Sequence, residues 1–189
     1  MIPILLIAAG KSSRMGDRDK LRELVDGVPL LRLLTDRALQ SGPTYVTLPS
    51  VDHPRRAILP KEATVVVVSG QMSDSIKAGI AALPADAKGV LIIPADMPDI
   101  TADDIRKILE AAQTSDEPII RACTQDGLAG HPIYFAARTF ARFETISGDR
   151  GAAQLTAELK EQTLFVPLQG DRARLDLDTP EDWAKFHAR

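Results

Sequence analysis

The chain has 189 residues, 44% of them hydrophobic and 26% charged, with a formal net charge of −3. That length buries a sizeable core without staples and makes one domain over residues 1–189 the expectation, while the slight acidity excludes a binder that works by neutralising nucleic-acid phosphates. The single cysteine, Cys123, excludes an intramolecular disulfide and a multi-cysteine zinc cluster within one chain.

The opening run, residues 2–9 (IPILLIAA), is apolar but has no basic segment before it and no cleavage site after it, so it reads as a buried strand rather than a leader. No run approaches the ~18 apolar residues of a membrane span. A soluble cytoplasmic protein with neither a membrane nor a nucleic-acid partner is expected. Further strand-like runs follow at 44–48, 63–68, 89–96, 118–124 and 163–168. Several lack polar alternation, which suits strands covered on both faces of a parallel sheet. Helical patterns lie between them, starting at Val28, Ser73, Thr101 and Gly151. In the third, Ile105, Ile108, Leu109 and Ala112 share one face and Thr101 with Asp104 forms a capping box. Such alternation predicts an α/β domain with right-handed crossovers.

In the last third, Asp126-Gly127 and Gly130 separate two strand-like runs, which predicts a hairpin and hence a mixed sheet. Residues 175–186 (LDLDTPEDWAKF) read as a short strand, then Thr179 as N-cap and Pro180 as the first helical residue.

Gly10-Lys11-Ser12 resembles the end of a phosphate-binding Walker loop, but that loop needs a glycine five residues earlier, where this chain has Leu5 inside the strand. A dinucleotide-binding glycine pattern is absent as well. What remains is a buried strand opening into Ala8-Ala9-Gly10, then Ser12, Ser13, Arg14, Gly16 and Lys20. Small residues let a ligand lie against backbone amides, and Arg14 and Lys20 suit phosphate oxygens. The alternative is a solvated basic loop. Asp96 follows the buried run 90–93, between Pro94 and Pro98, at the same carboxyl edge of the sheet. A carboxylate on a stiff strand end suits Mg²⁺, which takes one or two carboxylates plus substrate phosphates; the alternative is a turn residue. Asp176 and Asp178 point to one side of an extended segment. Either supplies a second ligand, or both merely close the strand and prepare the cap.

These segments, in order, resemble the MobA-like NTP transferase family, the small nucleotidyltransferases related to molybdenum cofactor cytidylyltransferase. The resemblance is carried by Ala8-Ala9-Gly10-x-Ser12-x-Arg14-Met15-Gly16 with Lys20-Leu21, Gly70-x-Met72-Ser73, Pro94-Ala95-Asp96-Met97-Pro98, Gly130-His131-Pro132, Gly148-Asp149-x-Gly151 and Asp176-x-Asp178-Thr179-Pro180. It implies a three-layer, glycosyltransferase-A-like, Rossmann-related domain with a mostly parallel, mixed sheet. It also implies transfer of a nucleoside monophosphate from a nucleoside triphosphate to a phosphorylated small-molecule acceptor, with Mg²⁺ and release of pyrophosphate. On that resemblance Arg14, Lys20 and Asp96 are the catalytic candidates. Ala8, Ala9, Gly10, Ser12, Ser13, Gly70 and Ser73 bind nucleotide, with Ser73 also the expected N-cap of its helix.

The resemblance further implies that Gly130, His131, Pro132 and Asp149 line the acceptor pocket, although His131 also fits a structural role. By the same resemblance Asp96 and Asp176 are expected to take the metal, with Asp178 left to support the helix start. Family members that use guanine carry Ala-Gly-Gly in the first loop; Ala-Ala-Gly here favours CTP. Other acceptors, such as methylerythritol phosphate or a sugar phosphate, and a nucleotide-sensing module without turnover are the rivals. Lys11 is the least essential of the loop cations.

Overall fold

A computed structural model describes residues 1–148 and 151–189. Seven strands form one sheet, in the order β5-β4-β1-β6-β8-β7-β9. They are β1 (Ile4–Ile7), β4 (Thr44–Leu48), β5 (Thr64–Val67), β6 (Gly89–Pro94), β7 (Ile119–Cys123), β8 (Ala129–Ala136) and β9 (Thr163–Pro167). All pair in parallel except β8, which runs antiparallel to both its neighbours, β6 and β7. The expected mixed, mostly parallel sheet and the hairpin before β8 are therefore both present.

The uninterrupted apolar runs have a direct physical reason. Ile4 and Leu6 of β1, with Leu91 and Ile93 of β6, pack into a cluster on one face of the sheet. Leu5, Val90 and Ile92 join a second cluster on the other face. A strand buried on both sides keeps no polar alternation. The first face is covered by α1 (Leu30–Leu39), α3 (Ala102–Thr114) and α5 (Pro180–His187), the second by α2 (Met72–Ala81) and α4 (Ala153–Glu158). The layers are thus helix, sheet, helix.

Helix boundaries follow their caps. Thr101 Oγ1 accepts from the Asp104 N–H at 3.1 Å while Asp104 Oδ2 accepts from the Thr101 N–H at 3.0 Å, and Thr179 and Asp182 repeat the arrangement at α5. Each such box is worth about 1 kcal/mol. Four expectations are corrected. Ser73 is not an N-cap: Gln71 holds that position, its N–H donating to Asp74 Oδ2 at 2.8 Å, and Ser73 is the buried second residue of α2. The first helix starts at Leu30 rather than Val28, because Leu24–Val25 (β2) and Val28–Pro29 (β3) form a small hairpin. Its turn residues Asp26 and Gly27 both have positive φ, 50° and 80°, as a two-residue primed turn requires. The segment before α5 is irregular rather than a strand, and the helix expected from Gly151 is confined to α4. Asp149 lies outside the described residues.

The sheet topology positions the site. From β1 the chain runs outward to β4 and β5, then returns to place β6 on the other side of β1. The crevice outside the strand ends at such a reversal is where open α/β sheets bind ligands. Ile7 is in register with Pro94, so the glycine loop after β1 and Asp96 after β6 leave the sheet side by side. Because β8 is antiparallel, its first residues, Ala129 to His131, emerge at that same edge.

Candidate functional site

A cavity of about 590 Å³ opens at this edge, lined along one wall by Gly10, Lys11, Ser12, Ser13 and Arg14. Lys20, Asp96, Asp176 and Asp178 form its floor, and Arg121, Gly130, His131 and Arg174 its far end. The expected catalytic and metal residues are therefore brought together. Of the expected nucleotide residues, Gly10, Ser12 and Ser13 face the cavity. Ala8 lies beneath it, buried, with its N–H donated to Thr47 Oγ1 at 2.9 Å. Ala9, Gly70 and Ser73 are not on the wall, whereas Met72, the first residue of α2, is.

Lys20 ties the floor together. Its Nζ donates to Asp96 Oδ2 at 2.5 Å and to Asp178 Oδ1 at 2.6 Å, with all three side chains less than a fifth exposed. Arg14 pairs with the other Asp178 oxygen at 2.8 Å. The irregular segment 175–178 reaches Asp96 through the Leu177 N–H, which donates to the Asp96 carbonyl at 3.0 Å. Asp178 is thus a residue of the site. Its expected part at the helix start is played by Asp182, whose carboxylate takes the Thr179 and Asp178 N–H groups.

One ligand oxygen from each of Asp96, Asp176 and Asp178 lies within 4.8 Å of the others. Burial alone would raise the Asp178 carboxyl, but the hydrogen bond and charge of Lys20, helped by Arg14, outweigh it and hold the group below the usual carboxylate range. Asp176 goes the other way: burial and the charges of Asp96 and Asp178 push its carboxyl up. Lys20 is held above the ordinary ammonium value, since its two carboxylates outweigh the cost of burying it. Three carboxylates against Lys20 and Arg14 leave one formal negative charge. Asp96 Oδ1 is in addition buried with no hydrogen-bond partner among the described residues. A buried, unpaired carboxylate oxygen within a group of three fits a hard divalent cation with oxygen ligands.

The far end is cationic. Arg121, on β7, donates from Nε to the Gly130 carbonyl at 2.9 Å, and Arg174 donates to the Ala129 carbonyl at 3.3 Å. Burial, reinforced by the Arg174 charge, pulls the Arg121 pKa down. His131 is pulled down to about 4 by burial and then by Arg121, so its imidazole is neutral at pH 7. Gly130 is required here: a Cβ on it would meet the Ala173 carbonyl oxygen at 1.9 Å, in a stretch where the His131 N–H donates to that same oxygen at 2.8 Å. Pro132 is buried behind the wall, joined to His131 by a cis peptide bond. Sequence reasoning missed Arg121, Arg174 and Met72. The arginines carry no local motif; only the hairpin and the chain's return beside it bring them together.

Comparison with known proteins gives the family and the fold. The family described as MobA-like NTP transferase domain matches residues 4–163. Over 97% of its length the chain is 25% identical to a molybdenum cofactor guanylyltransferase of Vibrio cholerae serotype O1, covering 90% of that protein. It is 31% identical over 129 residues to a 2-C-methyl-D-erythritol 4-phosphate cytidylyltransferase of Photobacterium profundum, spanning 61% of this chain and about half (52%) of that one. Among solved structures, Rv0371c of Mycobacterium tuberculosis superposes with a TM-score of 0.86 at 26% identity, covering 100% of this chain and 98% of that one. A manganese complex of Rv0371c superposes with a TM-score of 0.82 at 25% identity, covering 97% and 96%.

Proposed function

The chain belongs to the MobA-like NTP transferase family and is a nucleotidyltransferase; on that premise we propose that it moves CMP from CTP to a phosphorylated small-molecule acceptor of the molybdopterin kind, releasing pyrophosphate with Mg²⁺. The observation that carries this reading is the floor of the cavity, where Lys20 and Arg14 converge on the carboxylates of Asp96 and Asp178 beneath the glycine loop.

In the proposed reaction Gly10, Ser12 and Ser13 bed the triphosphate, with small side chains and backbone N–H groups allowing close approach. An acceptor phosphate oxygen attacks the α-phosphorus in line, and the bond to the bridging oxygen of pyrophosphate breaks. No general base is needed, because the acceptor is already anionic at pH 7. Arg14 and Lys20 then stabilise the charge that builds on the α-phosphate and on departing pyrophosphate, inside a partly desolvated cavity where such stabilisation is strongest. Asp96, with Asp176 and Asp178, would hold Mg²⁺. When bound, that ion supplies a fixed positive charge for the triphosphate oxygens. At the far end Arg121 and Arg174 receive the acceptor's phosphate, with neutral His131 as a hydrogen-bonding rather than a charged wall.

Residues 1–189 act as one transferase domain in this reading. No helix among the described residues is long and apolar enough to cross a membrane, which fits the cytoplasm as the place of action. GTP is the second reading, favoured by the nearly full-length match to a guanylyltransferase; Ala-Ala-Gly in place of Ala-Gly-Gly in the first loop favours CTP. Pyrophosphate release from each of the four NTPs with Mg²⁺, with and without molybdopterin or methylerythritol phosphate, tests the proposal. CTP with molybdopterin is expected to give the largest rate. Release from GTP alone would move the assignment to guanylyl transfer, and release only with methylerythritol phosphate would replace the acceptor.

A further inference from the structure

Resting on the nucleotide-binding reading above, we propose that Arg55, which touches none of Asp96, Asp176 and Asp178, is a positioning residue that sets the glycine loop for nucleotide from behind. Arg55 follows a turn after β4 and is 2% exposed. Its guanidinium makes five hydrogen bonds, matching its five N–H donors. Nε and Nη2 grip the two oxygens of Asp19 at 2.7 Å each, and Nη2 also reaches Ser12 Oγ at 3.1 Å. Nη1 donates to the Ala8 carbonyl at 2.5 Å and to the Gly10 carbonyl at 2.8 Å.

The two carbonyl bonds orient the loop. Across a planar trans peptide, the C=O of one residue and the N–H of the next point in opposite directions. Drawing the Ala8 and Gly10 carbonyls onto Arg55 therefore turns the N–H groups of Ala9 and Lys11 away from it, and neither has a partner among the described residues. Gly10 and Lys11 line both the main cavity and a second one of about 300 Å³ whose wall includes Asp19 and Arg55. The loop is thus a thin partition with a cation behind it and, in front, the free donor of Lys11, a residue of the main cavity's wall. Free backbone donors on a concave turn are an anion site.

The Asp19 bonds extend the effect to the next residue, Lys20. Asp19 Oδ1 also accepts from the Leu21 N–H at 3.1 Å and from Ser12 Oγ at 3.3 Å. Ser12 itself has positive φ, 53°, a conformation its contacts with Asp19 and Arg55 hold in place. One buried side chain thereby fixes Ala8, Gly10, Ser12 and the segment leading into Lys20. Lysine, with a single ammonium, cannot span two carbonyls and a bidentate carboxylate together.

The test compares Arg55→Lys, Arg55→Met and Asp19→Asn with the parent chain. CTP and GTP affinity with Mg²⁺ is measured by calorimetry, and amide exchange is followed across residues 8–14 and across β1 and β6. Both Arg55 variants are expected to lose about tenfold or more in nucleotide affinity, with the conservative lysine giving no rescue; Asp19→Asn loses about threefold or more. Exchange should quicken in residues 8–14 and stay unchanged in β1 and β6. A folded Arg55→Lys that binds both nucleotides within about twofold of the parent overturns the proposal. If the Arg55 variants do not fold, Asp19→Asn decides it, and parental affinity there overturns it equally.

Discussion

Lys20 and Asp178 stand 158 positions apart in the chain, yet Nζ of one lies 2.6 Å from Oδ1 of the other. The same ammonium reaches Asp96, so one lysine bridges two carboxylates supplied by separate segments. That arrangement offsets part of the repulsion among the carboxylates of the floor.

Asp96→Asn is expected to lower turnover by at least about 100-fold while the fold is kept. An amide is a poorer ligand for a hard divalent cation, and Asp96 carries the one buried carboxylate oxygen without a partner among the described residues. Steady-state pyrophosphate release with a melting curve on the same sample checks it. Undiminished turnover removes Asp96 from the mechanism.

Lys20→Ala removes the charge that holds Asp178 low, so that carboxyl rises and the floor becomes more negative. Turnover should fall about 100-fold or more, the scale of losing one transition-state donor. Added Mg²⁺ should recover most of any lost thermal stability. A fall in stability of more than about 3 kcal/mol that Mg²⁺ does not restore would mark Lys20 as structural, the size expected when a buried ion pair is simply broken.

His131 makes a pH prediction. Its folded pKa, about 4, lies below its ordinary value. The unfolded chain therefore takes up a proton that the folded chain resists. The stability this contributes is fully present above about pH 6.5 and is lost as the pH falls through 4, to a total of at most about 3 kcal/mol. Urea unfolding at pH 7 and pH 4.5 should show a larger loss for the parent than for His131→Asn. Equal losses would show that His131 is not held neutral.

Arg121→Gln should raise the KM for the phosphorylated acceptor about tenfold or more and leave the KM for CTP within about twofold, since Arg121 sits at the end of the cavity away from the glycine loop. Saturation kinetics in each substrate separates the two. A rise confined to CTP would place the triphosphate, not the acceptor, at this end.

The parts of this site that were legible in the sequence are those coded locally. A buried run ending in Ala-Ala-Gly and another ending in Pro-Ala-Asp announce strands whose loops share an edge, and β1 and β6 prove to be neighbours. The roles of Asp176 and Asp178 were not separable, because a period of two puts both on the same side of an extended segment. The spacing Thr179-x-x-Asp182 already held the capping box that leaves Asp178 available for Lys20. Asp26-Gly27 was likewise a readable hairpin signal, obscured by the apolar helix pattern starting at Val28. Arg55, Arg121 and Arg174 were not readable: each acts through contacts with carbonyls 9 to 47 residues away, and backbone acceptors leave no mark in a sequence.

The most direct measurement follows the α-phosphate itself. With CTP labelled at the α-phosphorus, Mg²⁺ and molybdopterin, the label should appear in the acceptor product in step with one pyrophosphate released per transfer, and should stay in CTP when Asp96→Asn replaces the parent. Label recovered only as free CMP, or remaining in CTP that is nevertheless bound, would contradict transfer to a phosphorylated acceptor at this site.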